Sequence, residues 1–156
     1  MFLISLANRA SLSESKTVLK LLDQASEIVD SMKSGSEKDD AHLRLAVSYC
    51  LQKSDRGLAI MESMVPMLNE LVAAAAKLDG YGTRYLRDGE WNMTAEGQLG
   101  SFLKSLSGHS GYFAWCDFDR AVSLAAQFER TEIRMMAQLK LAQGILAGPP
   151  KRWQSY

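Results

Sequence analysis

The sequence contains few cysteines and few prolines, and it has no excess of charge of either sign. Its 156 residues include two cysteines, Cys50 and Cys116, and three prolines. Two cysteines cannot form a disulfide framework. A single bridge between them stays open beside the simpler interpretation, two reduced thiols in a cytoplasmic protein. Lysine plus arginine equals aspartate plus glutamate, at 18 each. A general nucleic-acid binder needs a basic excess, so we expect no nucleic acid as partner.

Membrane segments and metal-ligand clusters are also scarce. The apolar run at 1–7 is short and has no basic leader, so we expect a first helix there and no signal peptide or membrane contact.

The two histidines, His42 and His109, lack partners at ligand spacing, so we expect no metal and no cofactor. His109 with Cys116 and Asp117 could form a thiol-enzyme trio. No thiol-enzyme motif surrounds them, and a cysteine-dependent enzyme is the least favoured of three functions.

What the sequence does have is apolar residues at helical spacing. Stripes at i, i+3, i+4 and i+7 predict amphipathic helices at about 18–32, 39–52, 54–78, 94–107, 118–128 and 131–146. Pro66 interrupts the third of these and predicts a kink, or two helices that meet there. In the last helix we expect one face to be buried, with Met135, Leu139, Ala142, Ile145 and Leu146.

One short segment has a different character. Asp88-Gly89 lies between residues that favour strands, which predicts a β-hairpin at about 83–94, because its tight turn needs positive φ at both central positions. A two-stranded ribbon is only marginally stable alone, so it must lean on helices. We therefore predict an all-α stack of antiparallel helix hairpins in one domain, 1–148. The insertion 79–117 adds the hairpin and one helix, and 149–156 is a tail.

Two short stretches of the sequence recur. Ala41-His-Leu-Arg-Leu-Ala46 returns as Ala137-Gln-Leu-Lys-Leu-Ala142, and Asp55-Arg56 returns as Asp119-Arg120. Recurring helical patterns are typical of stacked hairpins, each of which buries a face against the next. We expect both arginines to reach a neighbouring helix or a carbonyl group. A ligand-binding role would instead need both of them to face one groove.

The stretch Leu45-Ala46-Val-Ser-Tyr49 resembles the Leu-Gly-x-x-Tyr pattern in the first helix of a tetratricopeptide-like hairpin. Leu141-Ala142-Gln-Gly-Ile145 is similar but has isoleucine in place of the tyrosine. The resemblance covers about a third of the chain. It implies a scaffold that binds a protein or peptide and brings no catalytic residue with it.

Eight of the thirteen aromatic residues lie between Tyr81 and Phe118. Aromatic side chains dominate many binding sites, so we predict a non-enzymatic interaction module with Tyr85, Trp91, Tyr112 and Trp115 as contact residues. The loop at 108–111 and the flank of the final hairpin complete the predicted surface. These rings could instead form a small core that holds the ribbon on the helices. A small-ligand or peptide pocket under the insertion is the alternative function, and self-association is open because unfinished stacks expose apolar faces.

Overall fold

The computed structural model of the chain describes Ile4 and residues 15–92, 94 and 97–150. Within these residues the chain forms six helices and one two-stranded ribbon. The helices are α1 Ser15–Ser31, α2 Ser36–Leu51, α3 Arg56–Lys77, α4 Gly97–Cys116, α5 Phe118–Ala126 and α6 Thr131–Leu146, and the strands are β1 Leu86–Arg87 and β2 Glu90–Trp91. The predicted all-α fold with a small β-hairpin is confirmed. Apart from Ile4, the first helix predicted from the run at 1–7 lies outside the described residues. The predicted tail 149–156 also lies outside them beyond residue 150.

The helices alternate between two rows. The even-numbered helices lie side by side, since α4 packs against both α2 and α6. Of the odd-numbered helices, α1 packs on α2, α3 packs on α2 and α4, and α5 packs on α3, α4 and α6. Helix α4 therefore lies in the middle of the fold.

Two hydrophobic clusters explain this arrangement, and α2 contributes to both. Leu45 and Tyr49 face a smaller cluster formed with α1, whereas Leu43, Val47 and Cys50 face the main core formed with α3 and α4. Because both faces of α2 are covered, all residues from Leu45 to Cys50 are buried.

Helix α4 differs from the prediction, because it continues to Cys116 instead of ending near Gly108. The loop expected at 108–111 is therefore wrong, and both Gly108 and Gly111 lie inside a helix. A glycine costs about 1 kcal/mol in a helix interior relative to alanine. Gly111 has a packing reason, since a methyl group placed on Gly144 would lie 2.3 Å from the Gly111 Cα. The two glycines let α4 and α6 approach closely.

Pro66 also lies inside a continuous helix. Helix α3 runs unbroken through it for 22 residues, so the alternative of two helices meeting there is wrong. Pro66 is exposed, whereas its neighbours Val65 and Leu68 are buried, and this burial stabilises the helix on both sides of the proline.

In the described part of the chain, α3 is the one helix long and apolar enough to span a membrane by length and composition.

The ribbon forms where the sequence predicted it, with fewer paired residues. Asp88 and Gly89 have φ values of 54° and 84°, as the tight hairpin turn requires. Leu86 pairs with Trp91 in the antiparallel register. The Trp91 N–H donates a hydrogen bond to the Glu132 carboxylate at 2.6 Å. The ribbon is therefore held against the start of α6.

Helix α6 is turned the other way from the prediction. Of the residues expected inside, Met135, Leu139, Ala142 and Leu146 are exposed and Ile145 is partly buried, whereas Ile133 and Leu141 are fully buried. The helix is apolar on both sides, so periodicity alone could not select the inward face. The close contact at Gly144 selects it.

Candidate functional site

The largest run of exposed apolar side chains on one described helix is the outer face of α6. Met135, Leu139 and Leu146 are 62%, 53% and 87% exposed, and Ala142 is exposed between them. We call these four residues the outer stripe. Their spacing of four, three and four residues is that of the a and d positions in a coiled coil. The stripe is thus shaped to pack against another helix.

The outer stripe faces outward because the opposite side of α6 is fixed to α4. Gly144 approaches Gly111 too closely for any side chain to fit between the helices. The indole Nε1 of Trp115 donates to the Gly144 carbonyl oxygen at 3.0 Å, and Leu141 is buried beside them. These contacts leave α6 no freedom to turn its other face inward.

Uncharged side chains flank the outer stripe. Gln138 and Gln143 are exposed on either side of it. The one carboxylate on α6, that of Glu132, accepts hydrogen bonds from the Trp91 N–H at 2.6 Å and from the Arg130 guanidinium at 3.0 Å. Burial acts to raise the pKa of Glu132, but these hydrogen bonds outweigh it and hold the pKa below its usual value. A partner that covers the stripe would therefore meet no unpaired carboxylate on α6.

Two of the predicted contact residues, Tyr85 and Trp91, lie together at the ribbon, since Trp91 ends β2 and Tyr85 immediately precedes β1. Their rings stack with centroids 5.5 Å apart, and Trp91 is only 5% exposed. The Arg130 guanidinium lies 5.8 Å from the Trp91 ring centroid and donates to the Gly89 carbonyl at 2.7 Å. This pair has the geometry of the small core that the sequence left open as an alternative.

The other two, Tyr112 and Trp115, lie near the far end of α4. Both are partly buried, and Tyr112 lies beside His109 with ring centroids 6.1 Å apart. Trp91 contacts α6 at Glu132 and Trp115 contacts it at Gly144. Twelve residues of helix separate these points by about 18 Å. The four predicted anchors therefore form two separate pairs.

The trio of Cys116, His109 and Asp117 is not assembled into a catalytic site. His109 donates from Nδ1 to the Ser105 carbonyl at 2.7 Å. It precedes Cys116 by seven residues of helix, about 10 Å along the axis. Asp117 caps α5 by accepting from the Arg120 N–H at 3.0 Å. Among the described residues, no group of three histidine, cysteine, aspartate or glutamate side chains is placed to hold a metal ion.

The two matching arginines have the structural role expected of them. Arg56, which begins α3, donates to Asp23 on α1. Arg120 on α5 donates to both carboxylate oxygens of Glu62 on α3, at 2.7 and 2.8 Å, and its hydrogen bonds hold the pKa of Glu62 below its usual value. Each arginine thus ties an odd-numbered helix to the preceding odd-numbered helix.

Two open clefts lie elsewhere on the surface. One, of about 450 Å³, lies between α1 and α3 and is lined by polar groups that include Asp23, Tyr49 and Arg56. Burial and the hydrogen bond to Asp23 raise the pKa of Tyr49 to about 12, so its hydroxyl stays protonated and already has a partner. The other, of about 200 Å³, is lined by apolar side chains that include Leu71 and Phe102. Neither cleft is lined by residues of the ribbon, where the alternative function would place a pocket.

Comparison of the chain with protein-family models, with curated proteins and with solved structures finds no match.

Proposed function

We propose that this protein is a non-enzymatic protein-interaction module that associates with a second copy of itself through the outer stripe of α6. The observation that carries this proposal is the exposure of Met135, Leu139 and Leu146 on one helix face at coiled-coil spacing. Large apolar patches on a folded protein commonly mark a binding surface.

The flanking residues favour a second copy over a charged partner. In paired helices, charges beside the apolar seam select the partner. Gln138 and Gln143 carry no charge, and the whole chain is neutral. Two copies of this face would therefore meet without repulsion, and an isologous pairing of α6 with α6 satisfies the two-fold symmetry common among dimers.

The size of the stripe permits only a weak dimer. The exposed parts of its three large side chains amount to about two whole side chains. Their burial contributes roughly 3–6 kcal/mol in each copy, or roughly 6–12 kcal/mol in the dimer. Association itself costs roughly 4–15 kcal/mol. The expected dissociation constant is therefore no tighter than about 1 µM.

We also propose that the hairpins are related as repeats of the tetratricopeptide-like kind. Two features support this: the alternation of helices between two rows, and the matching links from Arg56 to α1 and from Arg120 to α3. In such a stack the outer stripe is where a further hairpin would pack, and the second copy supplies it. Two free cysteines favour the cytoplasm as the compartment.

Sedimentation of Leu139→Glu and of the wild type, over concentrations from about 1 to 200 µM, tests the proposal. The matched control is Leu78→Glu, which makes the same change at another exposed leucine, 61% exposed beyond the end of α3. We expect the wild type and Leu78→Glu to dimerise with rising concentration, and Leu139→Glu to stay monomeric. All three should melt at similar temperatures, because neither leucine is buried.

A wild type that stays monomeric throughout this range would refute self-association. Equal loss of the dimer in Leu78→Glu and Leu139→Glu would refute the assignment to α6. The aromatic residues Tyr85, Trp91, Tyr112 and Trp115 stay a prediction as contacts for a different protein or peptide.

A further inference from the structure

The two cysteines are far apart in the sequence but adjacent in the fold. Cys50 lies in the last turn of α2 and is fully buried, and Cys116 is the last residue of α4 and is partly exposed. Both sulfurs lie against the same turn of the chain, because the Cys50 sulfur faces Gly57, whose N–H donates to the Ser54 carbonyl oxygen at 3.1 Å. The Cys116 sulfur also lies 3.7 Å from the carbonyl oxygen of Ser54, which follows α2. The ends of α2 and α4 therefore bring two reduced sulfurs together.

The surroundings hold Cys50 in place. A methyl group placed on Gly57 would lie 2.5 Å from the Cys50 sulfur and 2.5 Å from the Ala46 carbonyl oxygen. Glycine at this position lets α3 press directly on the thiol. The Cys50 sulfur is thus enclosed on the α3 side and reaches solvent less readily than Cys116.

The two thiols also differ in the direction in which their pKa values are shifted. The hydrogen bond from Cys50 lowers the pKa of Cys116. It outweighs burial and the carboxylates of Asp55 and Asp117, which raise this pKa, and the Arg120 guanidinium adds a smaller lowering effect. The same hydrogen bond, together with burial, raises the pKa of Cys50. Cys116 is therefore the sulfur that more readily becomes a thiolate, the reactive form toward oxidants.

We propose that Cys50 and Cys116 form an oxidation site that hydrogen peroxide converts into a disulfide, with Cys116 as the attacking sulfur and Cys50 as the resolving sulfur. The Cys116 thiolate attacks one peroxide oxygen, the O–O bond breaks, and the departing hydroxide takes up a proton to become water. The Cys50 sulfur then attacks the Cys116 sulfenic acid. Its thiol proton leaves with the displaced hydroxide as a second water, so both sulfurs are oxidised and the peroxide is reduced.

The bond would join the ends of α2 and α4 across the main core. A disulfide needs an S–S distance of about 2.0 Å, which is shorter than a thiol–thiol hydrogen bond. Closure therefore draws together two helix ends that lie against the same turn. The site rests on these two helix ends and does not depend on the outer stripe of α6.

Treatment of the reduced full chain with hydrogen peroxide, followed by intact-mass measurement, tests the site. We expect the mass to fall by about 2 Da as both thiols disappear, with one peptide pair linking Cys50 to Cys116 after digestion without reductant. In Cys50→Ser, Cys116 should accumulate as a sulfenic acid that dimedone traps. In Cys116→Ser, the remaining Cys50 should react at least about 10-fold more slowly.

The same rates measured in guanidinium chloride provide the control for the folded geometry. There the two single-cysteine variants should react at similar rates, because burial no longer distinguishes the two sulfurs. The proposal is overturned if the folded wild type gains oxygen at each sulfur without the 2 Da loss. It is equally overturned if Cys116→Ser reacts as fast as Cys50→Ser.

Discussion

Replacement of Gly144 by alanine is the sharpest test of the contact between α4 and α6. In an exposed helix, this substitution stabilises a protein by about 1 kcal/mol, because alanine has the higher helix propensity. At Gly144 the new methyl group would lie 2.3 Å from the Gly111 Cα and 3.3 Å from its nitrogen. The opposing atoms belong to the backbone of α4, so no side chain can turn away to make room.

The magnitude follows from comparing these two effects. Ordinary contact between a methyl group and another carbon needs about 3.5–4.0 Å, so the helices must separate by more than 1 Å. Overpacking of this kind typically costs about 1–3 kcal/mol. The movement also strains the hydrogen bond from Trp115 to the Gly144 carbonyl, which adds about 1 kcal/mol. We therefore expect a net loss of about 1–3 kcal/mol, or roughly 2–12 °C in melting temperature.

Gly108→Ala is the matched control. Gly108 lies in the interior of α4, is exposed, and has no atom within 4 Å of the position that a methyl group would take. The same substitution there should raise the melting temperature by roughly 2–4 °C. The two variants differ only in whether another backbone faces the glycine.

Thermal unfolding followed by circular dichroism measures both variants against the wild type. The signs should be opposite, with Gly108→Ala above the wild type and Gly144→Ala below it. If Gly144→Ala melts at or above the temperature of Gly108→Ala, then α6 does not contact α4 at Gly111. The orientation of α6, and with it the outer stripe, would then be wrong.

Four further substitutions test the roles of single side chains. Trp91→Ala should cost about 3–5 kcal/mol in urea unfolding, because the ring is stacked and buried; an unchanged urea midpoint would contradict a core role. Leu141→Ala should cost about 2–5 kcal/mol, whereas Leu146→Ala on the opposite face should change stability by less than about 0.5 kcal/mol; similar losses would contradict the orientation of α6. The lowered pKa of Glu132 makes its carboxylate stabilising above the ordinary value of 4.5, and this contribution is lost as pH falls below it. Glu132→Gln should therefore show a shallower loss of stability than the wild type on acidification, and parallel pH profiles would contradict this.

The sequence predicted well the parts of the fold that local patterns determine. The stripe from Val18 to Val29 predicted α1, and the long stripe around Leu68 predicted α3, because each helix has one strongly apolar face. Asp88-Gly89 predicted the turn of the ribbon, since few other pairs adopt positive φ at both positions. In each case the signal lies within a few neighbouring residues.

The features that the sequence predicted wrongly depend on contacts between residues far apart in the chain. Gly108 and Gly111 suggested a loop, because glycine is unfavourable in a helix unless something approaches closely. The group that approaches Gly111 is Gly144, which is 33 positions away. Pairing these glycines across the sequence would have predicted both the continuous α4 and the inward face of α6. The adjacency of Cys50 and Cys116 follows in turn from the continuity of α4, since a loop at 108–111 would have placed Cys116 elsewhere.

The two proposals therefore depend on α4 in different ways. Cys116, at the end of α4, contacts α2, and Gly111 contacts α6 one and a half turns earlier. The outer stripe lies on the side of α6 that faces away from α4, so oxidation of the thiols adds no group to it and removes none. A dimer that is lost in Leu139→Glu but retained in Cys50→Ser and Cys116→Ser would place association at α6 alone. The helix that fixes both sites thus also keeps them separable by experiment.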